Sequence, residues 1–157
     1  MVKLDTVGYW TEVKLDIIRE YAQAYSTILA ARRQSNFYHI YIDAFAGPGL
    51  QVSRRTGDFI PGSPLNALNI RPRFKEYHLI DRDGEKADLL REITREYENI
   101  TVYSEDCNRI LLTKVFPLVR WKDYRRALCL LDPYGLDLSW EVVRTAPDFN
   151  MYLTLCP

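Results

Sequence analysis

The chain lacks an excess of charge of either sign: its 157 residues carry 21 Lys plus Arg against 21 Asp plus Glu. That balance removes the bulk field by which strongly basic proteins gather nucleic acid or anionic membranes. Cysteine is scarce too. Cys107, Cys129 and Cys156 are odd in number and widely spaced, which fits neither a disulfide framework nor a zinc knuckle, so they read as reduced, partly buried thiols. No run of 18 apolar residues occurs, and the N-terminus carries no signal-like apolar segment. Membrane spanning and secretion are unsupported, and the expected compartment is cytoplasmic. Repeats and low-complexity stretches are missing, which sets solenoids aside. What remains is 47% apolar and 27% charged composition, the profile of one globular domain over 1–157 with a substantial core. The pairs Arg54-Arg55, Arg71 with Arg73, and Arg125-Arg126 read as solvated surface charge.

Periodicity supplies the elements. Val13, Ile17, Tyr21, Ala24 and Ile28 recur at three- and four-residue spacing and predict an amphipathic helix over 11–33, with Thr11 as its cap and Glu12 in the positive first turn. An α/β core over 37–157 follows. Strands are expected at 38–45, 75–81, 100–104, 127–131 and 149–155. Helices fall between them: 83–97 capped by Asp83, 110–119 shortened by Pro117, and a short one from Ser139 to Pro147. Residues 50–61 read as a polar surface loop and candidate lid, closed by Ser63 as an N-cap and Pro64 in the next helix's first turn. His39 and His78 lie within strands and read as sheet residues. This alternation predicts a doubly wound α/β fold.

Four of the expected strands carry an acid at or just past the carboxyl end: Asp43, Asp81, Asp106 and Asp132. Open α/β sheets bind ligands along that edge, at the point where the strand order reverses. After the first strand comes Phe45-Ala-Gly-Pro-Gly49, where Gly47 and Gly49 allow positive φ and close approach of backbone to a ligand. A dinucleotide fingerprint would want a third glycine where Val52 stands, which argues against a nicotinamide enzyme.

Asp43-Ala-Phe-Ala-Gly-Pro-Gly49, Asp81, Asp106 and Asp132-Pro-Tyr-Gly135 resemble successive motifs of Rossmann-like S-adenosylmethionine-dependent methyltransferases. More narrowly, Trp10-Thr-Glu-Val-Lys-Leu15, Tyr41 to Gly49, Gly62-Ser-Pro-Leu65 and Leu131 to Leu136 resemble the bacterial three-Cys-motif partner protein family, over about 10–149. The fold this implies is a Rossmann-like, mostly parallel sheet of about five strands with flanking helices.

The resemblance also implies roles. The turn formed by Phe45, Ala46, Gly47 and Gly49 would meet the methionine part of S-adenosylmethionine, with Asp43 beneath it reaching the amino group directly or through water. Asp81 would accept from the ribose hydroxyls, and Asp106 from the adenine amine, with Cys107 or Asn108 flanking the ring. Asp132, Pro133 and Tyr134 resemble the acid-Pro-aromatic signature of enzymes that methylate exocyclic or planar nitrogens: two acceptors orient the amine and the ring stacks. Nucleic acid is then a candidate substrate, reached by flipping the base out. The implied partner is a three-Cys-motif protein, and the alternative to catalysis is a cofactor-binding protein that works with that neighbour. Because the chain stops at Cys156-Pro157 just past an apolar strand, a C-terminally truncated form is expected.

Overall fold

The computed structural model describes residues 2–32, 36–133, 135–149 and 151–155. Its centre is a five-stranded, wholly parallel sheet built from β2 (Tyr38–Asp43), β5 (Glu76–Ile80), β6 (Ile100–Tyr103), β7 (Arg125–Leu131) and β8 (Met151–Leu155). The spatial order is β6-β5-β2-β7-β8, so the chain adds strands first to one side of β2 and then to the other. The order therefore reverses between β2 and β7. Both are buried on both faces, as the unbroken apolar run Ala127 to Leu131 requires.

Helices cover both faces. On one lie α1 (Tyr9–Ala31), α2 (Ser63–Leu68) and α3 (Gly84–Thr94), packed through Ala22, Tyr25, Leu68 and Leu90 against Tyr41, Tyr77, Leu79 and Leu128. On the other lie α4 (Cys107–Ile110) and α5 (Trp140–Thr145), where Ile110, Leu111, Phe116 and Val142 meet Ile40, Ile42, Cys129 and Leu131. Asp83 caps α3 by accepting from the Glu85 and Lys86 amides, and the Ser139 hydroxyl accepts from the Val142 amide at the start of α5. Pro117 acts as expected: the helix after α4 widens to a π turn over Leu111–Val115 and ends in a 3-10 turn at Phe116–Leu118.

Four expectations change. The cap of α1 is Gly8, and Thr11 lies inside the helix. The stripe of α1 that packs is Leu15, Ile18, Ala22 and Tyr25, whereas Ile17, Tyr21, Ala24 and Ile28 face out, Ile17 with 64% exposure. Both stripes have helical spacing, and only the position of the sheet chooses between them. Residues 50–61 form an antiparallel hairpin, β3 (Leu50–Ser53) with β4 (Phe59–Pro61), to which β1 (Thr6–Val7) adds in parallel; the turn is closed at Gly57 with φ +77°. Arg125 and Arg126 are not surface charge: Arg125 pairs with Glu76 at 2.6 Å, and Arg126, 6% exposed, lies 3.7 Å above the Trp121 ring. The histidines are sheet residues as expected, His39 beside the Ser26 hydroxyl and His78 between Glu76 and Tyr103. Cys107 and Cys129 are free and buried; Cys156 lies outside the described residues.

Candidate functional site

The carboxyl ends of β2, β5, β6 and β7 open into two adjoining cavities. One, about 360 Å³, is lined by Ala44, Phe45, Asp81, Asp106, Cys107 and Asp137, among others. Its neighbour, about 450 Å³, takes in Ala46, Gly47, Ser63, Asp132 and Pro133. Phe45 and Lys86 belong to both walls, so the two spaces meet beside the reversal of strand order. Ligands of open α/β sheets sit at such a place.

Gly47 adopts φ +65°, and a Cβ placed there would meet nothing within 4 Å, so the turn exposes bare backbone to the cavity. Its N–H donates to Asp81 Oδ2 at 2.8 Å, while Asp81 Oδ1 accepts from the Asp83 amide at 2.8 Å. Asp81 thus ties the turn after β2 to the start of α3 and keeps lone pairs for a ligand. Asp106 caps α4 through the Arg109 amide at 3.1 Å and still lines the first cavity. Burial pushes the Cys107 thiol up to about 11, so it is a wall and not a nucleophile.

Asp43 and Gly49 line neither cavity. Asp43 is fully buried: Oδ2 accepts from the Ser63 hydroxyl at 2.5 Å and the Tyr41 hydroxyl at 3.3 Å, Oδ1 from the Phe45 amide at 3.2 Å. It braces the turn from beneath. Burial, chiefly, raises its carboxyl to about 6, with the nearby Asp132 charge adding to the rise. Ser63 is consequently not the N-cap of α2, a place taken by Gly62. At Gly49, φ is +84° and a Cβ would stand 3.0 Å from Leu90 Cδ1, so this glycine serves close packing. Asn108 does not flank the first cavity either; it accepts from the Ser139 amide and donates to the Asp137 carbonyl, both at 2.8 Å, fixing the loop after β7. Tyr134 lies outside the described residues.

Several lining residues were not assigned to the site from the sequence. Lys14 of α1 reaches Asp132 at 2.7 Å, and Lys86 of α3 reaches Asp5 at 2.7 Å across the junction of the cavities. Asp5, Thr6, Val7, Thr11, Lys14, Leu15 and Ile18 roof the second cavity. A signal existed for part of this. Thr11, Lys14, Leu15 and Ile18 share one helix face, so choosing the Leu15 stripe would have carried Lys14 with it. Gln51 had no such signal, because its strand read as loop.

Among the described residues no group of His, Cys, Asp and Glu is arranged to hold a metal ion, and no helix is long and apolar enough to cross a membrane. No protein-family model matches the chain, and no curated protein matches it. Among solved structures, it is similar to protein LPL1258 of Legionella pneumophila str. Philadelphia 1, from the family model DUF519, at 15% identity and a TM-score of 0.49; the likeness covers 86% of this chain and 61% of that one.

Proposed function

We propose that this protein binds S-adenosylmethionine in a Rossmann-like methyltransferase fold and directs its methyl group to an exocyclic or planar nitrogen, of a nucleobase or similar acceptor. One observation carries the reading: Asp81, Asp106 and Cys107 line one cavity, Ala46, Gly47, Asp132 and Pro133 line its neighbour, and the two meet at Phe45. The residues fit the group. Asp81 and Asp106 offer acceptors to ribose hydroxyls and an adenine amine, and the bare backbone at Gly47 leaves room for the methionine part. Bound there, the cofactor would supply an electrophilic methyl group.

The chain's own contribution is positional. Asp132 and the Pro133 carbonyl accept the amine hydrogens and aim the nitrogen lone pair, while Phe45 and the roof of α1 exclude water. Asp43 touches no ligand in this reading and holds Ser63 and the turn in register. Isothermal titration with S-adenosylmethionine and its demethylated product tests the proposal. Saturable one-to-one binding with a raised melting temperature is the expected outcome. Absence of heat and of any melting shift at millimolar ligand would sink it.

A second reading keeps the cofactor pocket without methyl transfer, in a protein that works as the partner of a three-Cys-motif protein. It is favoured by large apolar side chains close in sequence to cleft residues: Trp10, one turn before Lys14, and Leu136 and Trp140, one residue before and three after Asp137, are mostly or fully exposed. Ligand binding, a stable complex with that neighbour and no methylation across a panel of nucleic acids would select it.

A further inference from the structure

The second cavity holds two polar groups that the proposed reaction does not employ. Lys14 Nζ stands 2.7 Å from Asp132 Oδ2, with both side chains about two-thirds buried. Gln51 Oε1 is buried in the same wall and meets no hydrogen-bond donor among the described residues. An ion pair about one-third exposed adds little to stability, and a buried acceptor without a donor subtracts from it, so folding explains neither. Both residues line the space that Gly47, Ser63 and Pro133 also line.

An ammonium beside a carboxylate presents a donor next to an acceptor. The complementary ligand edge is an acceptor next to a donor, as in an amine carried by a ring carbon with a bare ring nitrogen beside it. Such a ligand replaces one ion pair by two charge-assisted hydrogen bonds. A protonated alkyl amine is disfavoured, because it would bring positive charge against Lys14. We propose that Lys14 and Gln51 read the methyl acceptor together with Asp132, and that the acceptor is an amino-heterocycle edge of the adenine or cytosine kind. Asp132 accepts from the amine, Lys14 donates to the ring nitrogen, and Gln51 Oε1 accepts a further hydrogen from the same ligand. This rests on the methyltransferase reading and adds two specificity residues to it.

The test separates the two. With the demethylated cofactor saturating its own pocket, adenosine and cytidine are titrated by NMR beside analogues that carry C–H in place of the ring nitrogen next to the amine. The analogues should bind about tenfold or more weakly, as expected when a buried donor is left unpaired. Lys14→Met should abolish that difference, Lys14→Arg should retain it, and Gln51→Leu should weaken parent and analogue alike. Cofactor affinity and a cooperative melt, measured on each variant, confirm that it folds. Equal affinity for parent and analogue in the unmodified protein, discrimination that survives Lys14→Met, or butylamine binding as well as the nucleosides overturns the inference. Cofactor binding with both nucleosides ignored overturns it alone, whereas absence of cofactor binding removes the methyltransferase reading with it.

Discussion

Burial at the end of the central strand lifts the Asp43 carboxyl to about 6 from an ordinary 3.8, against three hydrogen bonds that pull it down. The folded protein therefore binds this proton more tightly than the unfolded chain. Its contribution to stability falls as pH rises through the window from about 4 to 6, and the loss is complete above the folded value. At 1.36 kcal/mol per pKa unit, the stability of Asp43→Asn relative to the unmodified protein should rise by about 2 to 3 kcal/mol between pH 4 and pH 7. Urea unfolding of both proteins across that range measures it, and a pH-independent difference would show that Asp43 is not held as described. Glu76 runs the other way. The His78 hydrogen bond, with Arg125 beside it, holds the Glu76 carboxyl down to about 2, so its stabilisation is present at neutral pH and is lost as pH falls below about 4.5. Sequence could place Asp43 at a strand end, but whether it faced a ligand or the core depended on Tyr41 and Ser63 closing over it.

Helix α1 shows how far pattern reaches at the scale of an element. A helix of the right length was legible from periodicity, yet it carries two apolar stripes one residue apart, and the one first read as core faces out. Ile17 and Ile18 make the difference measurable. Ile18→Ala should cost about 2 to 4 kcal/mol, as for a large-to-small change in a core, while Ile17→Ala should stay within about 0.5 kcal/mol. Chemical denaturation of the two variants compares them directly, and similar costs would mean that the helix is rotated from the orientation described. The hairpin β3–β4 was missed for a related reason. Its strands are only four and three residues long, β4 is mostly exposed, and the polar turn from Arg54 to Asp58 separates them, so the alternation that marks a core strand is too short to read.

The whole molecule consists of a parallel sheet, which holds the core, and a small sheet that shares a wall with the cleft. The segment around β1 joins the two through pairing with β3 and through the Asp5–Lys86 ion pair, and among its residues only Val7 is a buried apolar side chain. Deleting residues 2–7 should leave a cooperative melt and helical circular dichroism intact but reduce affinity for the demethylated cofactor by about tenfold or more, because the roof of the second cavity opens. Unchanged affinity would show that this roof takes no part in binding.

By itself the sequence determined the order of strands and helices in the parallel core, the buried character of β2 and β7, and the arrival of Asp43, Asp81, Asp106 and Asp132 at one edge, because burial on two faces and the punctuation of strand ends are local properties of composition. Only the tertiary structure decided which of these acids face a cavity, which face of α1 packs, that Lys14 pairs with Asp132, and that Gln51 lines the same cavity. Those facts depend on contacts between segments as far apart as residues 14, 51 and 132, and a spacing along the chain carries no information about a distance across it.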